Sequence, residues 1–147
     1  MPQLGLPQAV VATRSQIVAA ATACDFEALA DLGGAGASGL TFSFGGADDP
    51  AAFWRAQEAR GDQPLRHLVE LLNRPFATRE LPGTTQYLWP SAYAFESWEA
   101  VPEADREALK PLYGEEDLAD FASFGGYIGY RVGITAAGDW AFFVAGD

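Results

Sequence analysis

The chain has 147 residues, 49% hydrophobic and 13% aromatic, enough for one domain with a real core and too apolar for disorder. Its formal charge is −11, with 20 acidic side chains against nine basic ones. Such a surface repels phosphate backbones and anionic membranes, so nucleic acid is not an expected partner; the charge is read first as serving solubility, and a basic protein or an unknown small molecule is the partner left open.

The first residues, "MPQLGLPQAVVATRSQ", lack a basic n-region and a continuous apolar stretch, so they are not a signal peptide. As it stands the sequence reads as cytoplasmic; with a leader removed ahead of residue 1 it reads as extracytoplasmic. No apolar run approaches the ~20 residues that span a bilayer. The single cysteine, Cys24, cannot form an internal disulfide.

Residues 1–12 carry Pro2, Gly5 and Pro7 and are expected to form an irregular arm, with one globular domain over 13–147. Thr13-x-x-Gln16 matches a capping box and predicts a helix start. Ile17, Ala21, Cys24 and Ala28 keep helical spacing, Asp25 offers a break into two helices, and Gly33-Gly34 ends the segment. Alternation in "LTFSFGG" predicts a half-buried strand with Leu40, Phe42 and Phe44 on one side. Asp49-Pro50 supplies an N-cap and a first-turn proline for a helix to about Ala59, which Gly61 stops. Asp62 and Pro64 open another, with Leu65, Leu68, Val69 and Leu72 as its buried stripe and Pro75 as its end.

No element is placed between Pro75 and Thr84. Thr84 to Trp89 reads as a strand closed by Pro90. Two short helices follow, broken near Pro111 and Gly114, the second with Leu118, Phe121 and Ala122 inward. "GYIGYRVGITAAGDWAFFVAGD" closes the chain as a hairpin turning through residues 136–139. Trp140, Phe142 and Val144 fall on one face of its last strand and Phe143 on the other, so this strand is expected inside the sheet, covered on both sides. The order defines an α+β fold: a small, mostly antiparallel sheet of about four strands with a C-terminal hairpin, covered by several short helices.

Chemical motifs are sparse. Gly34, Gly36 and Gly39 fit G-x-G-x-x-G, but the loop leaves a helix and enters a strand, the reverse of what a phosphate-binding turn requires. Around Ser38, a nucleophile elbow needs glycine where Leu40 stands. His67, the only histidine, lies beside the apolar stripe of its helix and is expected to face water, while Cys24 is expected to be buried and inert. One histidine and one cysteine make no zinc cluster. No catalytic residue, metal or cofactor is assigned, and the balance favours a protein that is not an enzyme.

The binding candidates are Arg131, Tyr127, Trp98 and Tyr93. Gly129, Arg131 and Gly133 share one face of the hairpin, and glycine inside a strand marks a close approach. Either an aromatic side chain lies on the glycines and Arg131 is structural, or the glycines floor a pocket where Arg131 holds an anion. Trp98 and Tyr93 fall in an irregular stretch suited to exposed contacts.

The ending "GGYIGYRVGITAAGDWAFFVAGD", with "FSFGG" and "PAAFWR" upstream, resembles a group of small bacterial proteins of no assigned function, some of them exported. "AAATACDFEALADL" followed by a strand more weakly resembles the cone-shaped α+β barrel family of ketosteroid isomerase and scytalone dehydratase. That likeness implies a pocket inside a curved sheet, but this chain has too few strands and no clear match to the family's catalytic positions. Three functions follow as expectations: a non-catalytic ligand- or partner-binding domain first, then a small-molecule pocket protein or enzyme of the cone-shaped kind, then an acidic inhibitor or immunity-type protein for a basic partner.

Overall fold

A computed structural model describes residues 3–34, 39–43 and 49–146. Most of the glycine-rich loop after Gly34, including Gly36 and Ser38, lies outside them, as does Phe44. Helices α1 (Gln8–Thr22), α2 (Phe26–Gly34), α3 (Pro50–Ala59) and α4 (Pro64–Leu72) precede strands β1 (Ala77–Leu81) and β2 (Thr84–Trp89). Two 3-10 turns (Ser91–Ala94 and Trp98–Ala100), helices α5 (Glu103–Glu107) and α6 (Glu115–Phe124), and strands β3 (Arg131–Thr135) and β4 (Trp140–Val144) complete the chain. The sheet runs β1-β2-β3-β4 with every pair antiparallel, so the protein is a small α+β fold. Among the described residues no helix is long and apolar enough to cross a membrane.

Helix α1 starts five residues before the expected capping box. Pro7 stands at its N-cap and accepts a hydrogen bond from Val11 N, so the arm expected over 1–12 is helical from Gln8. Thr13 is therefore no cap: its hydroxyl donates to Gly138 O at 2.6 Å and ties the β3–β4 turn to α1. Asp25 does break the segment, its carboxylate accepting from Ala28 N at the start of α2. That break lifts Cys24 out of any helix. It adopts φ 55° and is exposed, not buried. Asp49 and Pro50 act as expected at the start of α3. At α4 the cap is Gln63 in place of Asp62, and the far end is closed by Arg14 of α1. Its guanidinium donates to Leu72 O at 2.9 and 2.7 Å and to Asn73 Oδ1 at 3.0 Å, which satisfies one of the carbonyls the helix leaves unpaired.

Helices α1 to α4 cover one face of the sheet. Ile17, Leu29, Trp54, Leu68, Leu72, Trp89, Val132, Ile134, Trp140 and Phe143 form the main core there. A second, smaller core gathers Ala92, Trp98, Val101, Leu109, Phe121 and Tyr127. Ala122, expected inward on α6, is exposed.

Two strand expectations fail. Within the described residues 40–43 the segment contributes an isolated parallel bridge, Thr41 to Phe142, with Thr41 N donating to Ala141 O and Phe143 N donating to Thr41 O. The fourth strand is β1, joined to β2 across Pro82-Gly83, where Gly83 supplies the positive φ of a tight turn. Strand β4 is then the edge strand, shielded by that single bridge.

Simple alternation also fails along β4. Gly133 pairs Phe142 while Ile134 pairs Trp140, so Ala141 is an extra residue in the ladder. The bulge turns Trp140 to the helix side with Phe143 and leaves Phe142 on the outer face. There the Phe142 ring lies on Gly133, and any Cβ at 133 would overlap it. Gly129 is overlain in the same way by the hydroxyls of Tyr113 and Tyr127. Gly133→Ala is expected to cost about 1–3 kcal/mol by forcing Phe142 off the strand. The double variant Gly133→Ala/Phe142→Leu should recover part of that loss. Chemical denaturation that finds additive effects would contradict the contact.

Candidate functional site

The outer face of the sheet carries a recess of about 320 Å³. Register builds it. Arg79 pairs Gln86, Gln86 pairs Thr135, Gly133 pairs Phe142 and Arg131 pairs Val144, so these residues share one face. The lining includes Arg79, Gln86, Tyr93, Arg131 and Phe142. Phe142 floors it because Gly133 leaves room for the ring. Tyr93 comes from the 3-10 turn after β2, and its ring meets Phe142 edge-on, with centroids 6.0 Å apart and planes at 72°.

Two guanidinium groups converge on Tyr93. The Arg79 carbon stands 5.1 Å from the ring centroid and the Arg131 carbon 5.0 Å, both within cation–π range. Arg131 is 7% exposed. Its Nη1 donates to Gly146 O at 2.6 Å and to Gly129 O at 3.4 Å, which pins the end of the chain to the start of β3. Arg79 is exposed and makes no ion pair among the described residues. No carboxylate occurs among the described lining residues. The pair can therefore present positive charge to a small molecule on an otherwise acidic protein, with Arg131 held by backbone carbonyls and Arg79 at the surface.

Of the four expected binding residues, Arg131 and Tyr93 meet in this recess. Tyr127 and Trp98 do not. Trp98 is buried in the second core, edge-on to Phe121 at 5.5 Å, with the Arg106 guanidinium 5.3 Å from its ring. It sits in a 3-10 turn whose cap, Ser97, accepts from Ala100 N, so the exposed contact expected of an irregular stretch is corrected. Tyr127 is a latch. Its hydroxyl donates to Tyr130 O, so Tyr113 OH must donate across the 3.0 Å bond to Tyr127 OH. Tyr113 OH in turn accepts from Tyr130 N at 3.0 Å. Burial pushes the Tyr127 hydroxyl well above the ordinary tyrosine range and raises that of Tyr113 as well, so both stay protonated donors.

His67 is also corrected. It is half-buried and stacked between Tyr130, 4.8 Å away between centroids, and Tyr113, at 5.5 Å. Burial first, then Arg66, lowers its pKa below the ordinary histidine value. The ring acts as a neutral spacer in an aromatic stack.

Arg79 was missed because no strand was placed before Thr84, and Gln86, although inside the strand read over Thr84 to Trp89, was not singled out. The signal was present: Leu81-Pro82-Gly83-Thr84 is a turn sequence between two extended runs. Comparison of the chain with family models, with curated proteins and with solved structures gives no match.

Arg131→Met is expected to cost about 1–3 kcal/mol, since the carbonyls of Gly129 and Gly146 lose their donor. An unchanged denaturation midpoint would show that Arg131 does not hold the chain end.

Proposed function

We propose that the chain is a non-catalytic binding domain that takes a small anionic ligand, an aryl carboxylate or one of similar shape, in the recess on the outer face of the sheet. The supporting observation is the convergence of Arg79 and Arg131 on Tyr93 in a concave, partly apolar site. Only nine basic side chains serve the whole chain, so the placement of two of them together carries information. A guanidinium matches a carboxylate with two parallel hydrogen bonds, and the faces of Tyr93 and Phe142 suit a flat apolar body. Gln86, buried beside them, adds a polar group that can orient the ligand.

A second reading rests on α6. Glu115, Glu116, Asp117 and Asp120 are exposed on it, and Phe124 at its end is 54% exposed. That combination suits a basic protein partner, steered by charge and anchored by an aromatic ring.

Titration calorimetry with benzoate and its neutral analogue benzamide separates the ligand reading from its failure. Benzoate should bind with roughly millimolar affinity and benzamide more weakly, and Arg79→Gln should weaken benzoate about 5- to 20-fold without a change in melting temperature. Equal binding of the two compounds, or benzoate binding that Arg79→Gln leaves unchanged, would contradict it.

A further inference from the structure

A second cavity, of about 300 Å³, opens on the helix side of β4 between α3 and the end of the chain. Its walls are largely aromatic: Phe42, Phe53, Trp54, Tyr130 and Phe143 line it. These rings are fixed by one another. Phe42 meets Phe53 at 5.5 Å and Trp54 at 6.1 Å, both edge-on, and Phe143 stacks with Tyr130 at 5.3 Å. Polar groups enter the lining from Ser43 and from Gln57 of α3. Gln57 lines the cavity, and its Oε1 is buried with no hydrogen-bond donor among the described residues.

An amide oxygen removed from water without a donor is costly, and natural proteins rarely leave one so. A single-ring compound fits a cavity of this size, and aromatic walls favour a flat, apolar one. The orphan acceptor then selects among such compounds for one bearing an O–H or N–H. Charge points the same way. The Tyr130 pKa is pushed up to about 12, by burial first and then by Asp62, Tyr113 and Glu58. With those carboxylates close by, an anion is disfavoured and a neutral donor is suited.

We infer that this cavity is a binding site for a neutral, single-ring aromatic molecule carrying one hydrogen-bond donor, with Gln57 Oε1 as the acceptor and Phe53 and Trp54 as walls. This site is separate from the recess that holds Arg79 and Arg131, and it takes a ligand of different charge.

Phenol and fluorobenzene are close in size, and only phenol can donate. Their affinities, measured by titration followed through nuclear magnetic resonance shifts of the Gln57 side-chain amide and of Phe53, test the inference. Phenol should shift both groups, and the ratio of phenol to fluorobenzene affinity should fall about fivefold or more in Gln57→Leu. Comparing ratios cancels the different tendencies of the two compounds to leave water. Should Gln57→Leu not fold, Phe53→Leu provides the second variant and should weaken both compounds alike. Shifts absent from Gln57 and Phe53, a ratio that Gln57→Leu does not change, or phenol binding that Phe53→Leu leaves intact would overturn the site, with water as the partner of Gln57.

Discussion

The architecture depends on one close contact, the Phe142 ring lying on Gly133. A strand that must seat an aromatic ring against its own backbone cannot carry a side chain at that place. The contact fixes the register of β3 and β4, and the extra residue at Ala141 follows from it. With Phe142 outside, Trp140 and Phe143 both turn inward, where Trp140 stacks with Trp54 at 5.8 Å. A floor for the outer recess and a wall for the inner cavity thus come from adjacent residues of one short strand.

The aromatic side chains then bind the two cores into one body. Contacts run without a gap from Tyr113 through His67, Tyr130, Phe143, Trp140 and Trp54 to Phe42. Each such pair adds about 0.5–1.5 kcal/mol beyond its burial, so the series matters to a domain whose whole stability is about 5–15 kcal/mol. The polar groups that keep this apolar body together act on backbone ends. Arg14 closes α4, Arg106 donates to Trp98 O at 2.7 Å, Arg131 holds the end of the chain, and the tyrosine hydroxyls hold the turn before β3. Three of nine basic residues are used in this way, whereas Arg79 is exposed and lies against the Tyr93 ring.

Much of the helical half was legible in the sequence, because Asp49-Pro50, Gly61, Pro64 and the leucines after it act locally. The hairpin was legible too, and a ring over its glycines was one of the two readings left open: Phe142 lies on Gly133, while Gly129 is covered by the hydroxyls of Tyr113 and Tyr127. Long-range pairings were not. Thr13 looked like a cap until the β3–β4 turn arrived to take its hydroxyl. His67 looked solvent-facing because Tyr113 and Tyr130, which cover it, lie some fifty residues away in the chain. The strict alternation assumed for β4 concealed the bulge, and with it which of Phe142 and Phe143 reaches the core. Half of the candidate site, Arg79 and Gln86, sits on or beside a strand whose mostly exposed side chains give little hydrophobic pattern.

The anion site proposed for the outer face of the sheet is floored by Phe142 on Gly133. A crystal structure of the protein grown with benzoate tests it most directly. The account predicts the benzoate ring against Tyr93 and Phe142 with its carboxylate within hydrogen-bond reach of Arg79. Benzoate absent from the recess, with the Arg79 guanidinium paired instead to a carboxylate of the chain itself, would contradict it.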